Sequence, residues 1–157
     1  MKIPLVSAFL EDDVYETRLN DKFMEEVICN EDHFYHRIAK ALTDVNFEPT
    51  VYYMSQEKNE KKFCHKYGHS IIRIPAKKIN FLYEPIVYSP QLIKNIKKNY
   101  EICNFVSGYY VMYKIPDMFD YSVFKLNKDM PIVARWAGGN HKWLAPLRKS
   151  IKKAALQ

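Results

Sequence analysis

The Gly138-Gly139 pair stands among polar side chains that suit binding chemistry: Arg135 precedes it by three residues, and Asn140 and His141 follow it directly. A planar guanidinium can hold an anion through two parallel hydrogen bonds. Glycines let the backbone approach a sugar or a phosphate closely, although a plain strand-to-helix turn with unusual backbone angles calls for the same residues. A second group is Ser107-Gly108-Tyr109-Tyr110. Two tyrosines after a turn can stack on a sugar face and hydrogen-bond its hydroxyls, or they can pack under the next helix. A third group, Cys64-His65 with His69, has metal-capable side chains. A structural zinc site takes four ligands at recognisable spacing, and no fourth is evident nearby, so no metal is expected. His33 and His36 read as partly exposed residues of a helix. Ser107 lacks the glycine-flanked pattern of a nucleophile elbow, and no catalytic base is assigned.

The elements that would carry these groups alternate. Ile3 to Leu10 is a short apolar run of the kind found in a strand buried on both faces. An acidic connection follows, from Glu11 to Asp32, with room for a helical turn or two between Asp21 and Cys29. Phe34, Ile38, Ala41, Leu42 and Val45 form one stripe of an amphipathic helix, with Asp32 as its expected N-cap. Glu48 to Met54 reads as the second strand, Gln56 to Lys66 as a charged loop or short helix, and His69 to Pro75 as the third strand. Pro90 opens a helix with Leu92, Ile93 and Ile96 on its apolar side. Glu101 to Val106 and Pro131 to Trp136 are the fourth and fifth strands, with helices expected over Met112–Leu126 and Leu144–Leu156. This alternation predicts an α/β, Rossmann-like, doubly wound and mostly parallel sheet with helices on both faces. In such folds ligands bind outside the carboxyl ends of the strands, which is where the Arg135–His141 and Ser107–Tyr110 groups fall.

Bulk properties bound the rest. The 157 residues amount to about one domain, expected to span 1–157, long enough for a core without disulfides. Aromatic residues make up 15%, with 12 Tyr and 9 Phe, which favours dense packing. Three widely spaced cysteines do not make a disulfide framework and fit a reducing compartment. The first apolar run meets Glu11-Asp12-Asp13 too early to be a signal peptide, and no stretch approaches the ~20 apolar residues of a membrane span. A cytoplasmic location is expected. The net charge of +6 suits an anionic partner or simply a basic enzyme. Lys142, Arg148, Lys149, Lys152 and Lys153 make the last helix basic, and it can touch the inner face of a membrane; its narrow apolar face fits packing on the sheet better.

Three segments resemble the N-terminal domain of GT-B fold glycosyltransferases of the group 1, or family 4, type. Arg37 to Leu42 followed by Asn46 to Tyr52 is similar to that group's first helix and second strand. Ile102 to Gly108 is similar to the strand and turn that approach the acceptor, and Pro131 to Gly139 to the strand that ends in the cleft loop. The resemblance implies an acceptor-binding domain that works with a C-terminal donor-binding domain or subunit, on a carbohydrate or lipid-linked acceptor. The nucleotide-sugar donor would be held by that other domain, and this one would bind no cofactor. It implies cleft roles for Arg135, Gly138, Gly139, Asn140, His141, Gly108 and Tyr109. The chain also departs from the group: it lacks a glycine-rich loop after the first strand and a histidine at Asn104–Ser107, and it reaches Gln157 without a donor-binding motif. It is therefore expected to be a fragment or one part of a split enzyme, inactive alone. The alternative is a non-catalytic Rossmann-like module for an anionic partner or, with less support from motifs, a nucleic acid.

Overall fold

The computed structural model describes residues 1–81, 84–101, 103–106 and 132–134, with side chains described at most of the first hundred positions. Strand β1 (Lys2–Leu10) leads into a short helix α1 (Glu11–Val14). Helix α2 (Asp21–Phe23) continues into a π-helical turn at Met24–Ile28, and helix α3 (Phe34–Asp44) follows. Strand β2 (Glu48–Ser55), a hairpin of β3 (Lys61–Cys64) and β4 (Ser70–Pro75), and a second hairpin of β5 (Lys77–Phe81) and β6 (Glu84–Tyr88) come next. Helix α4 (Pro90–Asn99) and strands β7 (Cys103–Val106) and β8 (Ile132–Ala134) complete the described elements.

The main sheet has six strands in the order β3-β4-β2-β1-β7-β8. All neighbours are parallel except the β3–β4 pair at the edge. The second sheet is the β5–β6 hairpin alone. The protein is thus an α/β domain with a mixed, mostly parallel sheet. Val51 to Ser55 of β2 are all buried, the signature of a central strand covered on both faces.

Alternation along the strands sorts the core into two layers. Leu5, Val51, Tyr53 and Ile71 face one side, where they meet Leu19, Met24, Ile28, Tyr35 and Ala39 from the helical segments before β2. Val6, Tyr52, Met54 and Ile74 face the other, against Leu92 and Ile96 of α4. Helices α3 and α4 therefore cover opposite faces. Truncating any fully buried Leu or Ile in these layers typically costs about 2–5 kcal/mol.

Local chemistry explains the boundaries. Ser89 caps α4: its Oγ accepts from Leu92 N–H at 3.3 Å and donates to Pro75 O at 2.6 Å. Pro90 fills the first helical position, where no amide is needed. Ser89→Ala is expected to cost about 1–2 kcal/mol, read from urea denaturation, since it removes both the cap and a partly buried bond to β4. Helix α3 ends at Asp44 with Val45 as its C-cap; Asn46 follows with a φ of 66° in the left-handed region, and Phe47 N–H closes back on Leu42 O at 3.0 Å.

Three expectations need correction. Helix α3 begins at Phe34 with His33 as its N-cap, not Asp32. Its inward stripe is Tyr35, His36 and Ala39, flanked by Phe34, Ile38 and Leu42; Ala41 is exposed and Val45 is 59% exposed. The charged stretch before His65 contains strand β3, an edge strand whose lysines face outward while Phe63 points into the core. Among the described residues no helix is long and apolar enough to cross a membrane.

Candidate functional site

A polar network lies within the first core layer, between the sheet and the helical segments before β2. It starts at the carboxyl end of β1. Glu11 follows the last residue of that strand and is 2% exposed, with one carboxylate oxygen lacking a partner among the described residues. Burial raises its pKa to about 7; a hydrogen bond with Ser7 opposes the rise, and the charges of Glu31 and Asp12 add to it. Asp12 ties this end of β1 to the end of β2. Its carboxylate accepts from Leu19 N–H at 3.2 Å, from Ser55 Oγ at 3.2 Å and from Gln56 N–H at 2.9 Å. Such a clasp fixes the loops at the carboxyl edge of the parallel strands.

The network continues through Tyr15, whose hydroxyl donates to Glu31 Oε1 at 2.5 Å. Burial, reinforced by this carboxylate, holds the Tyr15 phenol well above its usual range. Burial also acts to raise Glu31, but hydrogen bonds from His36 and Tyr15 outweigh it and keep that carboxyl below its ordinary value. The Glu31 carboxylate lies 3.6 Å from His36 Nε2, and the Tyr53 hydroxyl lies 3.1 Å from the same nitrogen.

His36 is fully buried, contrary to the expectation of a partly exposed helix residue. The rotated stripe of α3 carries it inward beside Tyr35, whose hydroxyl reaches Ser7 Oγ at 3.4 Å. His36 Nδ1 meets His69 Nε2 at 2.9 Å. His69 and His65 come from the turn that joins β3 to β4, a turn closed by His65 N–H on His69 O. The three imidazoles are nearly parallel: His36 and His65 have centroids 3.9 Å apart at 15°, and His65 and His69 are 4.5 Å apart at 18°.

The bonds of His65 select its tautomer. Tyr67 N–H points at His65 Nδ1 (3.1 Å), so Nδ1 carries a bare electron pair and Nε2–H donates to Glu31 O at 3.0 Å. His69 Nδ1 finds no partner among the described residues. Burial lowers the His69 pKa to about 3, with His36 and His65 adding to the effect, and burial likewise lowers His65. Imidazoles that resist protonation are the form that binds metals.

Beside His65 an open cavity of about 460 Å³ is lined by Cys29, Cys64, Lys61, Lys62 and Lys66, among others. The Cys29 thiol is pushed up by burial and by the neighbouring Cys64.

Of the residues singled out in the sequence, the structure brings His65 and His69 together and adds His36 to them. Arg135, Gly138, Gly139, Asn140, His141, Gly108 and Tyr109 lie outside the described residues. Sequence reasoning missed Glu11, Tyr15, Glu31 and Tyr53. For Glu11 a signal existed: an acidic residue placed directly after a doubly buried strand. Comparison of the chain with family models, with curated proteins and with solved structures returns no match.

Proposed function

We propose that this chain is the acceptor-side domain of a GT-B type glycosyltransferase, with a Rossmann-like doubly wound sheet. The observation that carries the reading is the run of five parallel strands β4-β2-β1-β7-β8 with α3 and α4 on opposite faces. The chain leaves β1 toward β2 and leaves β7 toward β8, so the connections diverge between β1 and β7. A divergence of this kind opens a crevice outside the carboxyl ends of the strands, the habitual ligand site of such sheets. The resemblance of Ile102–Gly108 and Pro131–Gly139 to acceptor-cleft segments supports the same reading.

In this reading Glu11 stands at the crevice with a carboxyl that is half protonated near pH 7 and has an unmet oxygen, suited to a sugar hydroxyl. The resemblance assigns acceptor-cleft roles to Arg135, Gly138, Gly139, Asn140, His141, Gly108 and Tyr109. A partner domain or subunit supplies the nucleotide-sugar, and preorganised dipoles in the cleft between them stabilise the departing diphosphate.

Ligand-observed NMR of the chain against a panel of oligosaccharides and anionic glycolipids tests the reading. At least one carbohydrate is expected to bind, and Arg135→Ala is expected to weaken it by about tenfold, as loss of a charge-assisted hydrogen bond does. Robust nucleotide-sugar turnover by this chain alone would sink the acceptor-side assignment. No carbohydrate binding, together with tight and strongly salt-dependent nucleic-acid binding, would replace it with the anionic-partner module.

A further inference from the structure

We propose that His36, His65 and His69 form a binding site for a late first-row divalent metal ion of the Zn²⁺ class, with a water in the fourth position. The site is separate from the carbohydrate reading and stands or falls independently of it. Each of the three histidines offers one ring nitrogen, and these nitrogens lie within 4.8 Å of one another. All three residues are buried. Buried clusters of three imidazoles suit Zn²⁺ and its neighbours, and three protein ligands plus water is the pattern of an open site.

The distances fit an ion without a rebuilt backbone. Two imidazole nitrogens bound to one ion at about 2.1 Å, and about 90–110° apart, are separated by about 3.0–3.4 Å. His36 Nδ1 and His69 Nε2 already stand 2.9 Å apart, in a hydrogen bond whose proton moves to His69 Nδ1 when the ion binds. The spacing of His65 and His69, three residues between them, also falls within the range of paired zinc histidines. The near-parallel stack is the ion-free packing; ion binding turns the rings so that their edges converge. The open cavity that His65 lines gives that ring space to turn and a path from solvent.

The surrounding bonds orient the ligands as an ion would need. Metal-bound histidines usually give their other nitrogen to a carboxylate or a backbone carbonyl. Here Glu31 does both: its carboxylate backs His36 Nε2, and its carbonyl accepts His65 Nε2–H. With Nε2 of His36 protonated toward Glu31 and Tyr53, His36 Nδ1 is bare and accepts from His69 Nε2. When an ion takes His69 Nε2, the proton passes to His69 Nδ1, which has no hydrogen-bond partner among the described residues. An ion would replace two hydrogen bonds, His69 Nε2–H to His36 Nδ1 and Tyr67 N–H to His65 Nδ1, with bonds to three unprotonated ring nitrogens.

The test uses the intact chain, stripped with a chelator and titrated with Co²⁺ in the visible and with Zn²⁺ by calorimetry. One equivalent is expected to bind with a dissociation constant of about 1 µM or tighter. The Co²⁺ spectrum should have tetrahedral intensity and no thiolate charge-transfer band. His65→Gln and His69→Gln are each expected to weaken binding at least about tenfold, and Glu31→Gln, which keeps all three ligands, by about tenfold through lost orientation. Circular dichroism of each variant shows whether it has folded, and Glu31→Gln carries the test if a histidine variant has not. Absence of stoichiometric binding overturns the proposal, as does binding that survives in folded His65→Gln and His69→Gln. A charge-transfer band that disappears in Cys64→Ser overturns the water-completed site.

Discussion

Replacing His36 with alanine is expected to lower the unfolding free energy by about 4 kcal/mol. The ring is fully buried and makes edge or stacked contacts with Tyr53, His65 and His69, so its removal opens a cavity between α3, β2 and the β3–β4 turn. Large-to-small changes of that kind cost about 2–5 kcal/mol before any polar penalty. Two groups also lose a partner at once, the Tyr53 hydroxyl and His69 Nε2, while Glu31 Oε1 keeps its bond from Tyr15. Leaving a buried polar group unmet costs about 1–3 kcal/mol, and some of that is recovered if water enters the cavity. Urea denaturation followed by circular dichroism gives the free energy, and the melting temperature should fall by roughly 10 °C for a chain of this length. His36→Gln, which can still reach Tyr53 or His69, should cost about half as much. The exposed Lys40–Asp44 pair on the same helix supplies the contrast: Lys40→Ala should stay within about 0.5 kcal/mol. A loss below about 1 kcal/mol for His36→Ala would show that the histidine network does not hold α3 to the sheet.

That helix also shows where sequence reading succeeds and where it slips. An amphipathic helix near Asp32–Val45 was legible from its apolar spacing, and the structure has one at Phe34–Asp44. Its phase was not. Counting aliphatic residues placed Ala41 and Val45 inward, whereas the buried face centres on Tyr35 and Ala39, with His36 carried in beside them. Tyr and His pack as apolar bodies with a polar tip, and a periodicity count that scores them as polar rotates the helix outward. β1, β2, β4 and the start of α4 at Pro90 were legible because continuous burial or a helix-opening proline leaves a strong local mark. β3 was not, because an edge strand reading Lys61-Lys62-Phe63-Cys64 buries one side chain and looks like a loop. The β5–β6 hairpin pairs only with itself and had no sequence expectation. For the site, His65 and His69 were visible as metal-capable types, but the third member lies 29 residues before His65. Only the packing of the β3–β4 turn against α3 brings His36 to them, and that is a long-range property no spacing rule contains.

Glu11 carries the second large effect, and its sign is the reverse of the usual carboxylate case. In the folded chain burial raises its pKa from 4.5 to about 7, so the fold prefers the neutral acid. Below about pH 4.5 the group is protonated in both states and costs nothing. Between pH 4.5 and 7 the unfolded chain gives up the proton while the folded chain keeps it, and stability falls as pH rises. Above pH 7 both states are ionised and the full penalty is present. It amounts to about 3 kcal/mol, from a shift of roughly 2.5 units at 1.36 kcal/mol each. Glu11→Gln removes the charge while keeping a side chain of the same size that can still bond to Ser7. The variant is therefore expected to be more stable than the parent by about 2–3 kcal/mol at pH 8 and equal to it near pH 4. Denaturation midpoints measured every half unit across that range check both the size and the window. A Glu11→Gln advantage that is the same at pH 4 and pH 8 would mean that the benefit comes from packing, and that Glu11 is not held neutral by burial. If the advantage appears only above pH 4.5, the chain retains a destabilising carboxylate at the end of β1, as ligand-binding positions in such sheets often do at a cost to the fold.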